Sequence, residues 1–424
     1  VTQATPVAAF RNAGAAADGR AASLRTRDRA PARACDLAVT IHTDLAAAET
    51  EWRGFEAVCE GTPFQAFAWL ETWHRHIGQN NGTVPAIVSV RFTNGAMAML
   101  APLAVEHGRW ARRLCWLGQD LCDYNAPLLA REFSQRVPPD LFAAFWREVR
   151  RRLQADPRLS FDWIEFEKMP QTIGVQANPF LQLGVTANAN SAHLTQLTED
   201  WETFYRTRRS SATRRHDRAK HKRMSAYGAI RFVEAAEADD ARRTLITLME
   251  QKSRSFARKG IADMFARPGY RDFFLDFASH PATRHLAHIS RLDVGAECAA
   301  ANFGIVFGDC YYHVLASHGD GAVRRYGPGA LHLRELMAYA ISRGLRRFDF
   351  TIGDERYKRE WSDLLLKLYD YSAAASWRGV GPNLSSALRR RVKRFIKQTP
   401  TVWRLAIGLR QTIGALFHRR ADRD

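Results

Sequence analysis

The chain has 424 residues, 46% apolar and 25% charged, which suits sizeable cores in two domains and not a fibrous or wholly disordered protein. Six scattered cysteines without a C-x-x-C pair argue against a disulfide framework or a cysteine zinc site and fit reduced thiols. The net charge of +18 resides in residues 206–223 (nine Lys/Arg, one Asp), 385–424 (eleven Lys/Arg, two Asp) and 1–35 (six Arg, two Asp), segments suited to anionic lipid, nucleic acid or phosphorylated substrate, and the remainder is close to neutral.

Residues 1–35, rich in Ala, Arg, Gly and Ser, are expected to be disordered. A strand is predicted over 37–41, helices over 45–60 and 64–77, and a hairpin whose strands, 86–92 and 96–105, are joined by Thr93-Asn94-Gly95. A short strand at 114–117, a loop at 123–127, a helix over 140–154 and a strand at 163–166 complete a first half, residues 36–190. The second half, 191–376, restarts near His193. It is read as one long helix over 201–224, a strand at 230–233, helices over 241–256 and 270–278, and strands over 285–292, 297–307 and 311–317. The basic residues of 206–223 surround their helix with no aromatic residues interleaved to stack bases.

Residues 324–361 carry the strongest signal. Gly327-Pro328-Gly329 opens a helix whose apolar face is Leu333, Leu336, Met337, Ala340 and Ile341; Gly344 caps it, and Phe348 and Phe350 alternate with Asp349 and Thr351 as in a strand. A helix start with small residues and a nearby arginine can hold phosphate on free backbone amides. A polar loop, 353–361, follows, then a last strand over 366–373.

The spacing Arg324-x-x-Gly327-x-Gly329 resembles the pyrophosphate-binding turn of the GNAT acetyltransferases. Gly353-Asp354-Glu355 with Tyr357-Lys358 and Trp361 resembles the GDE-x-YK-x-x-W signature of the CelD/BcsL-type acetyltransferases, relatives of FemA, FemB and FemX. The resemblance, which covers most of residues 36–376, implies an α+β fold: two tandem GNAT-like domains with mixed sheets; a basic C-terminal helical tail is expected over 377–424. It implies direct attack of an amine on the thioester of acetyl-CoA or a longer acyl-CoA; His74 and His76, and His216 and His221, form no recognisable metal set, so no metal is expected. Arg324, Arg325, Gly327, Pro328, Gly329 and Ala330 would hold the cofactor, with the pantetheine arm between the parted strands 311–317 and 347–351. Tyr357 would give a proton to the leaving thiolate and Lys358 would help the developing negative charge. Asp349, Asp354 and Glu355 are candidates to orient the amine or take its proton, and His313 is a further candidate base.

The acceptor implied is an amine on a small molecule, sugar or exopolysaccharide precursor. Aminoacyl transfer from tRNA, as in FemAB-like enzymes, is the alternative that gives nucleic acid a role; a non-catalytic membrane-surface scaffold is another. After Pro382 two helices are predicted, separated by Thr399-Pro400. Basic residues flank Leu388, Val392, Phe395 and Ile396, a pattern suited to an anionic membrane surface through 385–424. No apolar run reaches the ~18 residues of a membrane span, and no signal peptide is evident, so the expected location is the cytoplasm or the inner membrane face.

Overall fold

The computed structural model describes residues 37–398; the expected N-terminal tail, Cys35 and the second tail helix lie outside them. Thirteen strands form one mixed sheet. In chain order its long members are β1 (Leu37–His42), β2 (Val84–Phe92), β3 (Met97–His107), β4 (Arg112–Trp116), β5 (Trp163–Pro170), β6 (Thr186–Gln196), β7 (Ile230–Glu234), β8 (Ala287–Val294), β9 (Glu297–Phe307), β10 (Cys310–His318), β11 (Arg347–Ile352) and β12 (Leu364–Ala374). The two-residue strand Leu128–Leu129 pairs with β3.

Two similar runs meet in the middle. β1 to β4 are antiparallel and β5 lies parallel to β4; β7 to β10 are antiparallel and β11 lies parallel to β10. The first run is completed by β12, a strand from the second half of the sequence, and the second run by β6, which joins the two halves. β12 pairs with β5, β6 pairs with β11, and β6 and β12 join the two runs antiparallel. The position 190/191 falls within β6, whose sequence TANANSAHLTQ has no apolar alternation and is not foreseen as a strand.

The α-helices longer than one turn are α1 (Leu45–Glu56), α2 (Phe67–Trp73), α3 (Pro139–Ala155), α4 (Trp201–Arg208), α5 (Ser211–Met224), α6 (Ala238–Arg258), α7 (Tyr270–Ser279), α8 (Pro328–Ser342), α9 (Arg356–Trp361) and α10 (Trp377–Gln398). The expected helix 201–224 is two helices, because Ser210 caps α5 by accepting from the Thr213 amide. The expected loop 353–361 ends in α9. α10 starts before Pro382 and runs through it; that proline lies near the N-terminal end, where few intrahelical amide bonds are lost.

Aromatic packing ties the two runs together. Trp69 of α2 is fully buried and meets Phe273 and Phe277 of α7 edge-on, with centroids 4.7 and 5.0 Å apart. Trp69→Ala removes that wedge, so we expect a loss of about 3–5 kcal/mol in urea unfolding. Loss of signals from both halves in a single transition is the second expected observation.

Candidate active site

The parallel pair β10–β11 holds together for three residues only: Cys310 opposite Arg347, Tyr311 opposite Phe348 and Tyr312 opposite Asp349. Beyond Tyr312, β10 keeps its pairing with β9 as far as His318, and β11 keeps its pairing with β6 as far as Ile352. The two strands therefore part into a wedge. At its narrow end the Thr351 hydroxyl donates to the His313 carbonyl at 3.3 Å. Thr351 has φ +59°, a left-handed conformation that a β-branched residue rarely adopts, and the pairing with β6 slips between Asp349 and Thr351.

The glycine turn lies at the wide end. The 3₁₀ turn Ala322–Tyr326 leads into Gly327, whose φ of +73° favours glycine, and Pro328 opens α8. The Gly327 amide donates to Arg324 and the Ala330 amide to Gly327, while the Gly329 amide has no partner among the described residues. A Cβ on Gly329 would meet nothing nearer than the His318 ring at 3.9 Å, so the backbone is open to approach from that side. The rim is basic. Asp320 is shared by Arg324 at 3.5 Å, Arg254 at 3.7 Å and Arg258 at 2.5 Å; Arg325 lies over Tyr326; and the basic helix α5 packs against the 3₁₀ turn. Free amide, open space and surplus cations fit a pyrophosphate.

At the narrow end, burial pushes the Asp349 carboxyl up to about 7, against the lowering effect of two hydrogen bonds to one of its oxygens. Oδ1 accepts from the Tyr124 hydroxyl and from the Thr351 amide, each at 2.7 Å; Oδ2 has no partner among the described residues. Lys358 is buried, donates to the Ile352 carbonyl at 2.7 Å and lies 3.4 Å from Glu355. Tyr357 faces His313 and Phe350 edge-on, each at 6.5 Å. Burial, then the Glu355 charge, raises its phenol well above the ordinary value, so it is protonated at neutral pH.

Asp354 points away from this cluster: it accepts from the Ser191 amide at 3.4 Å and lies 3.3 Å from Lys397. Trp361 of the signature is a support, 2% exposed and stacked on Phe204 with Arg209 over its ring at 4.3 Å. Burial, then the Lys358 charge, lowers His313 to about 3, which leaves it a neutral imidazole.

Three further residues join the site. Asp123 and Tyr124 come from the loop after β4, in the other half of the sequence. Burial raises the Asp123 carboxyl, with Lys168, Lys358 and Thr351 close enough to oppose that rise. Lys252 of α6 donates to the Ala316 carbonyl of the parted strand at 3.3 Å; burial, then the neighbouring Lys259 charge, lowers its amine to about 8. In the sequence these are an acidic loop and one lysine among many, and only the fold brings them to the wedge.

Residues 211–359 match the family model described as an acetyltransferase (GNAT) domain. No curated protein sequence matches the chain. Among solved structures, FemX aligns over 79% of this chain and 97% of its own, with 12% identity and a TM-score of 0.55, a likeness of fold. The L-PGS structure from Bacillus licheniformis aligns over 80% of this chain and 96% of its own (12% identity, TM-score 0.46). A tandem GNAT protein from the clavulanic acid biosynthesis pathway aligns over 80% and 99% (10% identity, TM-score 0.45). Residues 211–359 thus carry a GNAT acyltransferase domain, and the chain is an acyltransferase on a mixed α/β fold shared with FemX.

Proposed function

We propose that the chain is an N-acyltransferase of the CelD/BcsL type that moves an acetyl or longer acyl group from acyl-CoA to a primary amine. The observation that carries this reading is the wedge between β10 and β11, with the unpaired Gly329 amide at its wide end. The diphosphate of the thioester substrate lies on the glycine turn, with Arg324 and Arg325 as counter-charges, and the arm enters the wedge. The acceptor ammonium gives a proton to Asp349 Oδ2, and the neutral amine attacks the thioester carbonyl. As the carbon–sulfur bond breaks, Tyr357 donates its proton to the departing thiolate, and the phenolate takes up the second proton that the newly acylated nitrogen sheds. Lys358 stabilises the negative charge that builds up between these events. The GDE-x-YK-x-x-W resemblance favours a saccharide amine as acceptor.

Calorimetry with acetyl-CoA tests this reading. The wild type binds; Gly329→Trp, which fills the open side of the turn without meeting a nearby backbone, is expected to weaken binding by at least about 100-fold while the melting temperature stays unchanged. Equal binding by both proteins refutes the placement. A second reading, aminoacyl transfer from tRNA, is favoured by the basic helix α5 against the same turn. It requires tight, salt-sensitive RNA binding and no acetyl-CoA heat.

A further inference from the structure

Helix α10 is amphipathic in the opposite sense from a helix that packs through its apolar side. Its polar face holds the sheet. Ser386 is 2% exposed and bonds Glu165, Arg390 donates to Glu165 at 2.7 Å, Arg394 donates to the Ala187 carbonyl and Lys397 lies 3.3 Å from Asp354. Gly379 passes so close over β5 that a Cβ there would collide with the Asp162 carbonyl. The apolar face looks outward: Trp377 is 81% exposed, Leu384 63%, Leu388 64% and Phe395 63%, with Val380 and Val392 also exposed. Their spacing of three and four residues makes them one continuous stripe.

A second feature begins where this helix begins. A cavity of about 700 Å³ is lined by Arg112, Arg147, Arg150, Arg151 and Arg378, and among the described residues its one lining carboxylate is Asp162. Asp162 is already engaged, accepting from the Arg112 amide at 2.8 Å and from Ser376 at 2.5 Å, and Arg151 is paired with Glu148. Among the described residues Arg147, Arg150 and Arg378 have no carboxylate partner, and the Arg150 Nε is buried without a hydrogen-bond partner. The cavity therefore offers surplus guanidinium donors to anionic oxygens. Ala375, Ser376 and Arg378 belong both to its wall and to the segment that starts α10, so cavity and stripe share an edge.

We propose that this edge docks on an anionic lipid bilayer. α10 lies in the interface with Trp377, Leu384, Leu388 and Phe395 among the upper acyl chains, and the arginine cavity takes lipid phosphates. An apolar stripe beside unpaired cations matches a membrane surface, and none of the helices among the described residues is long and apolar enough to cross a membrane. An isologous contact with a second copy of the chain would cover the stripe but bring no free anionic group to the unpaired arginines, because Asp162 is already engaged. The proposal is independent of the acyl-transfer reading.

Flotation of the full chain with vesicles tests it. The protein is expected to float with phosphatidylcholine vesicles containing phosphatidylglycerol, less so at raised salt, and not with phosphatidylcholine alone. Leu388→Ser with Phe395→Ser is expected to reduce partition at least about tenfold. Arg147→Ala with Arg150→Ala reduces it by about fivefold per charge. Brominated acyl chains quench the fluorescence of the wild type and not the same fraction in Trp377→Phe. Trp377, Leu388, Phe395 and Arg147 are exposed and the Arg150 Nε has no hydrogen bond to lose, so melting temperatures stay level. A chain that remains in the aqueous phase overturns the proposal, whether sedimentation then reveals a dimer or removal of residues 399–424 uncovers binding. Partition unchanged in both double variants overturns it as well.

Discussion

Asp349→Asn is expected to lower kcat/KM by about 10²–10⁴-fold, the usual contribution of a general base, while the acyl-CoA binding heat is preserved. A carboxylate of ordinary acidity is too weak a base to deprotonate an ammonium effectively. Burial corrects that here by bringing Asp349 to about 7. In the wild type kcat/KM should therefore rise with pH through about 7 and level off above it. Tyr124→Phe removes a hydrogen bond that stabilises the carboxylate, so the same limb should move to higher pH. Stability supplies a second readout. The folded carboxyl is raised from 3.8 to about 7, so the folded state holds its proton more tightly than the unfolded chain between those values. Its contribution to stability is present below about pH 4 and is lost as the pH rises through about 7. Asp349→Asn cannot ionise; its melting temperature should gain on the wild type above pH 7 and show no such gain near pH 4. A structural residue without a proton-transfer role would show the melting effect and leave the shape of the pH profile unchanged.

The sequence discloses the centre of this site better than its surroundings. Gly327-Pro328-Gly329, the apolar face of α8 and the alternation around Asp349 follow from local rules, and the structure has a helix and a strand there. The polar strand β6 is illegible because both its neighbours are sheet strands and its backbone pairing does not depend on apolar side chains. The break at Ser210 is a capping bond competing with a run of good helix formers, a balance that charge patterning does not reveal. Asp123, Tyr124 and Lys252 are remote from β11 in sequence, and no spacing rule links them to it. The tail shows the reverse case. A pattern of apolar residues among arginines is legible, yet whether the apolar side meets protein or solvent is decided by Ser386, Gly379 and Glu165, the close contacts of the polar face.

Tyr357→Phe is expected to lower kcat by about 10²–10³-fold with little change in acyl-CoA affinity. The hydroxyl has no hydrogen-bond partner among the described residues, so its removal leaves the aromatic contacts with His313 and Phe350 intact and costs little stability. Loss of an acid should be felt most when the departing thiolate is most basic. The variant should recover towards wild-type rates with thioesters of more acidic thiols, whereas a packing defect would depress all of them alike. The alternative donor is Lys252, whose ammonium is lowered to about 8. The two acids predict different alkaline behaviour. Tyr357, raised well above the ordinary phenol value, stays protonated throughout a practical pH range and gives no alkaline fall. Lys252 would lose its proton near pH 8 and take the rate down with it. A wild-type profile that is flat above pH 7, together with a strong defect in Tyr357→Phe, assigns the proton to tyrosine; a fall near pH 8 that disappears in Lys252→Met assigns it to the lysine.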